Sequence, residues 1–298
     1  SYGYWPSSYV FVQAQQNTPE NLPIGFWEGA TDLLGSRDMQ LVNGASMRGT
    51  DLRLEGMKQQ YATIPTNGAF DLRQGYTVSL RIQFNSWYHW GGWADNQFLV
   101  EYHTPADYAA RDYLIRLQVT GDYDYANSPH VLSMGVGPIG NLVRSSVTPK
   151  LDTWHTITAS YDGSTMRMYL DGRQIIDTPY RWTIPSSSSP IYIGAHHHGN
   201  SFAYHADVDI DTLLLYDRVL NEQEVAILAR SPNSETQAIV PPPVQTPATE
   251  QPRPQTVVAA SQVTSRDQIP RIQNTFGTYN TRGSFGGSVY LKDIFNKE

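Results

Sequence analysis

Trp154–Ile175 reads WHTITASYDGSTMRMYLDGRQI. Two alternating runs, Trp154–Tyr161 and Thr165–Leu170, are joined through Asp162-Gly163-Ser164, and Asp171-Gly172 then leads into a third run, Arg173–Ile176. An Asp-Gly pair between alternating runs signals a hairpin, because the tight turn needs positive φ at its central residues. The stretch therefore predicts two linked hairpins.

The same pattern extends outward in both directions. In Tyr76–Phe84, Val78, Leu80, Ile82 and Phe84 fall on one face and Thr77, Ser79, Arg81 and Gln83 on the other, which is the period of a strand with one wet face. Tyr113–Val119 repeats it, with Ile115, Leu117 and Val119 inward. Further strands are expected at Asp51–Leu54, Gln60–Ile64, Gln97–Tyr102, Val131–Val136, Ile191–Gly194 and Asp207–Tyr216. One helix is expected at Asn221–Arg230, with Asn221 as its cap and Glu224 closing a capping box. Many short strands and one late helix indicate an all-β fold, an antiparallel sandwich of the jelly-roll type with a short C-terminal capping helix.

These segments also resemble a known family. The Trp-His, Tyr-Asp-Gly and second Asp-Gly of Trp154–Ile175 are similar to the signature hairpin of laminin-G-like domains in the concanavalin A-like lectin/glucanase superfamily. DLRLEGMKQQYATIP at Asp51–Pro65, FDLRQGYTVSLRIQF at Phe70–Phe84, IYIGA at Ile191–Ala195 and DIDTLLLYDRVLNEQEVAIL at Asp209–Leu228 follow in the family's order. The resemblance covers about residues 25–230. Val208 stands near where the family usually has Gly, and Asn85–Asn96 is unusually rich in Trp. The resemblance implies a jelly roll with glycan-binding, adhesive or structural use and an optional calcium ion, and fold alone does not choose among these.

Composition divides the chain into an N-terminal extension (1–24), the jelly-roll domain (25–230) and an extended arm (231–298). Ser231–Asn274 is rich in Pro, Gln, Thr and Ser and has no sustained periodicity, so it reads as a polyproline-like linker. Val289, Tyr290, Leu291, Ile294 and Phe295 in the last stretch are enough to anchor a tail on another protein and too few to fold alone. The chain begins at Ser1 rather than Met, so removal of Met or of a leader is expected; SYGYWPSSYV has no basic segment followed by an apolar core.

The net charge is −7, with 21 basic residues, of which only Lys58, Lys150, Lys292 and Lys297 are lysines. Without a basic excess, no nucleic-acid partner is expected. No apolar run reaches membrane-spanning length. The absence of Cys excludes disulfides, thiolate metal sites and Cys nucleophiles.

Three clusters are candidates for function. WYHWGGW at Trp87–Trp93 offers Trp87, Tyr88, Trp90 and Trp93 as a sugar-stacking platform or protein contact; the plainer alternative is a local mini-core. His196, His197 and His198 are candidate ligand or partner contacts. Adjacent His residues lack the usual spacing of a zinc site, so an exposed polar loop is the plainer expectation. Asp207, Asp209 and Asp211 alternate on one strand, as acids do in the superfamily's sugar-cleaving members. Retaining hydrolysis needs carboxyls about 5–5.5 Å apart, but no Glu is present, and Asp211 fits the family's structural closing Ile-Asp. The leading expectation is a non-catalytic structural or adhesive component of a virion or extracellular assembly, joined to other proteins through its arm. The alternatives are a lectin-like module that binds glycans, with calcium as an optional ion, and a glycoside hydrolase. Catalytic residues are expected to be none; the metal ligands stay unknown.

Overall fold

The computed structural model describes residues 22–230 except 88–95, 107–109, 122–128 and 200. Among them, the strands form two antiparallel sheets and a separate hairpin. The first sheet has nine strands. Its main path runs β14 (Arg173–Pro179), β13 (Thr165–Leu170), β12 (Trp154–Tyr161), β7 (Tyr76–Phe84), β18 (Val208–Tyr216), β1 (Gly25–Glu28) and β2 (Thr31–Asp32). β5 (Asp51–Leu54) also pairs with β18, and β4 (Ser46–Arg48) pairs with β5. The second sheet has seven strands: β11 (Val143–Arg144), β10 (Val131–Pro138), β9 (Asp112–Thr120), β8 (Asn96–His103), β15 (Ile191–Ile193), β6 (Tyr61–Ile64) and β3 (Gln40–Val42). One core joins the two sheets: Val78, Leu80, Ile82, Ile157 and Ala159 from the first pack in the same cluster as Ile115, Leu117, Val119, Met134 and Ile193 from the second.

The signature hairpin folds as its turns demand. Asp171 and Gly172 have φ of 51° and 78°, and Gly163 has φ of 85°. Each Asp then does a second job. Asp162 Oδ1 accepts from the Ser164 and Thr165 amides, at 2.8 Å each, and Oδ2 pairs with Arg167 at 2.8 Å. Asp171 Oδ2 lies 2.8 Å from His155 Nδ1, and Oδ1 accepts from the Thr156 amide at 2.8 Å. His155 Nε2 accepts from the Lys150 amide at 3.0 Å, which makes Nδ1–H the donor to Asp171. The Trp-His and Asp-Gly elements of the motif are thus one clamp. Asp171→Ala is expected to lower stability by about 2 kcal/mol, because it strips the buried imidazole of its acceptor and leaves Ala at positive φ. Asp171→Asn keeps a left-handed-tolerant residue with an acceptor for Thr156, and urea unfolding should show the smaller loss.

The helix, α1 (Glu222–Leu228), is shorter than the sequence reading, but its cap is the expected one. Asn221 accepts from the Gln223 and Glu224 amides, and Glu224 reaches back to the Asn221 amide at 2.8 Å. Val225 of the helix packs with Phe26, Tyr169, Leu214, Tyr216 and Leu220 in a second small core.

The expected strands are present: Asp51–Leu54, Tyr76–Phe84, Trp154–Tyr161 and Thr165–Leu170 keep their bounds, and the others shift at an end by one to three residues. Short edge strands (β2, β3, β4, β11) and β1 add to them. His196–His198 is not an exposed loop. It is β16, which pairs with β17 (Ser201–Ala203) in the separate two-stranded hairpin. Tyr88, Trp90, Trp93 and the anchoring residues Val289, Tyr290, Leu291, Ile294 and Phe295 lie outside the described residues.

Candidate functional site: a histidine and aromatic face on the seven-stranded sheet

A bulge sets this face up. In the β8–β9 ladder Phe98 opposes Gln118 and Val100 opposes Leu117, so Leu99 is the extra residue. Leu99, Val100 and Tyr102 join the core, while Phe98, Glu101 and His103 meet the hairpin. Tyr192 of β15 lies between Thr63 of β6 and Glu101 of β8. The hairpin is tied at its base by backbone bonds from Ala206 to Gly194, at 2.8 Å, and from Phe98 to Tyr204, at 3.0 Å.

Beneath it lies a buried polar cluster. Glu101 Oε2 is 2.6 Å from His196 Nδ1, and Oε1 is 3.5 Å from His103 Nε2 and 3.6 Å from Arg111 Nη1. Arg111 donates to the His197 carbonyl, and His103 Nε2 sits 3.2 Å from His197 Nδ1. Glu101, His103, Arg111 and His196 are at most 2% exposed. Desolvation pushes Glu101 up to about 7 against the opposing pull of His103, Arg111 and Arg116. It pushes His103 down to about 4 and His196 down to about 3. Both directions favour neutral forms in the dry site.

Rings cover the cluster. His197 is parallel to His103 at 5.4 Å and to Tyr192 at 4.8 Å. Phe202 lies 5.1 Å from His197 and stacks on Tyr61 at 4.1 Å. His196 stacks on Phe98 at 4.4 Å, with Arg116 over the Phe98 ring at 5.1 Å. Tyr61, His197 and Phe202 are partly exposed, and His198 and Ser201 are exposed beside them. The face therefore joins a partly exposed aromatic patch to a buried polar anchor.

The other candidates sit elsewhere. Trp87 packs on the sandwich, 5.2 Å from Phe84 and parallel to His130 at 5.0 Å. Asp207 pairs with Arg53 at 2.6 Å. Asp209, 3% exposed, is 3.7 Å from Arg53 and 3.8 Å from Arg48. A bulge between Ile210 and Thr212 makes Asp211 the extra residue, and it pairs with Arg81 at 3.1 Å. All three carboxylates are therefore held by arginines of neighbouring strands. Burial, Asp51 and Glu28 push Asp211 up and Arg81 pulls it down. Among the described residues no group of three or more His, Asp or Glu is placed to hold a metal ion.

The Laminin_G_3 family model, described as the concanavalin A-like lectin/glucanases superfamily, matches residues 56–226, more than half of the chain. The chain belongs to this superfamily. No curated protein matches it. Among solved structures, this concanavalin A-like chain is similar to domain 4 of AbnA, a GH43 extracellular arabinanase from Geobacillus stearothermophilus in complex with arabinotriose. That match has 12% identity and a TM-score of 0.50, and covers 70% of this chain and 98% of that one. It is also similar to a Trypanosoma rangeli sialidase mutant displaying trans-sialidase activity, with 15% identity and a TM-score of 0.55, over 71% of this chain and 33% of that one. The binding domain of botulinum neurotoxin DC in complex with SialylT matches at 11% identity and a TM-score of 0.51, over 70% of this chain and 51% of that one. The chain spans about a third of the sialidases it matches. At these identities the likeness is one of fold.

The residues that sequence reasoning missed are Glu101, His103, Arg111, Tyr192, Tyr61 and Phe202. One signal was available: Glu101 and His103 interrupt an otherwise apolar strand, QFLVEYH, at alternate positions. Charged residues inside such a run need buried partners.

Proposed function

We propose that this chain is a non-catalytic adhesive protein. Its concanavalin A-like domain recognises carbohydrate on the aromatic face of the seven-stranded sheet, and residues 231–298 join it to other proteins of an extracellular or virion-surface assembly. The observation that carries the recognition reading is the partly exposed patch of Tyr61, Phe202 and His197, flanked by His198 and Ser201. The apolar C–H face of a sugar ring packs on such rings while neighbouring polar groups meet its hydroxyls. The non-catalytic reading is supported by the pairing of Asp207 and Asp209 with Arg53 and of Asp211 with Arg81. The arm's role rests on its composition.

Wild-type protein on an array of plant, algal, animal and microbial glycans is expected to bind a defined subset, with or without chelator. Tyr61→Ala/Phe202→Ala is expected to lose at least about tenfold in affinity, since a stacked ring contributes about 1–3 kcal/mol. A blank array, or full binding by the folded double variant, would remove this reading. For the arm, protein truncated after residue 230 should lose its place in the native assembly while its domain stays folded.

A further inference from the structure

The hairpin of β16 and β17 belongs to neither large sheet. Backbone bonds fasten its base. Its outer part is held by side chains, and histidines supply much of that grip. His196 faces Glu101 and stacks on Phe98, while His197 stacks between His103, Tyr192 and Phe202. Gly199, at the turn, has φ of 60°. We propose that this hairpin is an acid-released strap: protonation of His196, His197 and His103 frees it from the outer face of the seven-stranded sheet.

The charged and titratable groups that face the histidines come from every element packed there. β8 contributes Glu101 and His103, the chain before β9 contributes Arg111, and β9 contributes Tyr113 and Arg116. Tyr61 comes from β6, Tyr192 from β15, and His198, Tyr204 and His205 from the hairpin and its exit. Two of these groups, Arg111 and Arg116, are permanent cations. A proton placed on His103 or His196 therefore adds positive charge beside them in a site shut off from water. With the strap open, the same imidazoles take up protons in solvent near their ordinary value of 6.5.

The signs oppose one another. His103 and His196, driven down by burial to about 4 and about 3, stabilise the closed strap above pH 6.5, and that contribution is lost as pH falls. His197 and His205 are moved down in the same sense. Glu101, raised to about 7, works the other way: its contribution is present below 4.5 and lost as pH rises through 7. With several imidazoles against one carboxyl, the open population is expected to rise about tenfold from pH 7 to pH 5, and further below that. Opening also dismantles the Tyr61–Phe202–His197 patch. That consequence rests on the carbohydrate reading; the release itself does not.

Hydrogen exchange of the full chain, corrected for the intrinsic effect of pH, tests the release. The amides of His196–His198 and Ser201–Ala203 are expected to lose about tenfold in protection between pH 7 and pH 5, while those of β7 and β12 keep theirs. Glu101→Gln removes the opposing carboxyl, and should hold the strap tighter at pH 7 and make its release steeper. His196→Gln should make the release shallower. Equal protection of the strap at both pH values, or a Glu101→Gln slope no steeper than the wild type, overturns the proposal. If either variant fails to fold, the imidazole NMR signals of wild-type His103 and His196 decide. Titration near 6.5 with the strap still protected overturns the proposal, and signals that stay neutral until protection falls support it. Release in acid with no glycan bound at any pH would leave the strap in place and remove only the carbohydrate reading.

Discussion

Trp27→Ala is expected to lower the unfolding free energy by about 3–5 kcal/mol, the range for removing a fully buried aromatic ring. Trp27 has no exposed surface and sits edge-on to Phe70, with centroids 6.2 Å apart at 78°. Its indole N–H donates to the Arg37 carbonyl at 2.8 Å. The loop that receives this bond is fixed in turn by Asp32, which accepts from the Leu34, Gly35 and Arg37 amides. Gly25 leaves room for the ring, since a Cβ there would collide with its far edge. The variant therefore opens a cavity and also removes the N–H that ties the Arg37 carbonyl to the core. Urea unfolding should show a lower midpoint with little change in slope. Trp27→Phe, which fills most of the space without the N–H, should lose less than half as much.

Glu101→Gln should have the opposite sign. At pH 8 the wild type holds a carboxylate where burial favours the acid, and the lift to about 7 is what remains of that penalty after the opposing pull of His103, Arg111 and Arg116. Gln has nearly the shape of the protonated acid. Stability at pH 8 is therefore expected to rise by about 2–3 kcal/mol in the variant, and the gain should shrink toward zero near pH 5, where Glu101 already carries its proton. Parallel urea titrations at the two pH values measure this difference directly. A large loss at pH 8 would mean that the Arg111–Glu101 ion pair outweighs desolvation.

Much of the sandwich was legible because its long strands carry their own signals. Tyr76–Phe84 alternates in every residue after Tyr76, and positive φ is found at Asp171 and Gly172 of one Asp-Gly pair and at Gly163 of the other. β1 carried no such signal. Phe26 and Trp27 are both fully buried, one in the small core with the helix residue Val225 and one in the main core, so GFWE shows no alternation. The edge strands β2, β3, β4 and β11 are two or three residues long, too short for any period to appear. Three identical histidines likewise give no hint that His196 is buried and His198 exposed.

The candidate face was less legible still. It is assembled by pairing β15 between β6 and β8, which puts Tyr192 beside Thr63 on one side and Glu101 on the other. No spacing along the chain reveals that neighbourhood. The acids of β18, by contrast, stand out in sequence. Their partners Arg48, Arg53 and Arg81 come from strands that join β18 directly or through β5, so their pairing also appears only in the folded sheet.

The most direct test of the carbohydrate reading is NMR mapping of the domain with an oligosaccharide selected on the array. Saturation transfer and shift perturbation at Tyr61, Phe202, His197 and His198 are expected, with the Asp207–Asp211 end of β18 silent. Perturbation centred on Arg53, Asp207 and Asp209, or none at any sugar concentration, would contradict the account.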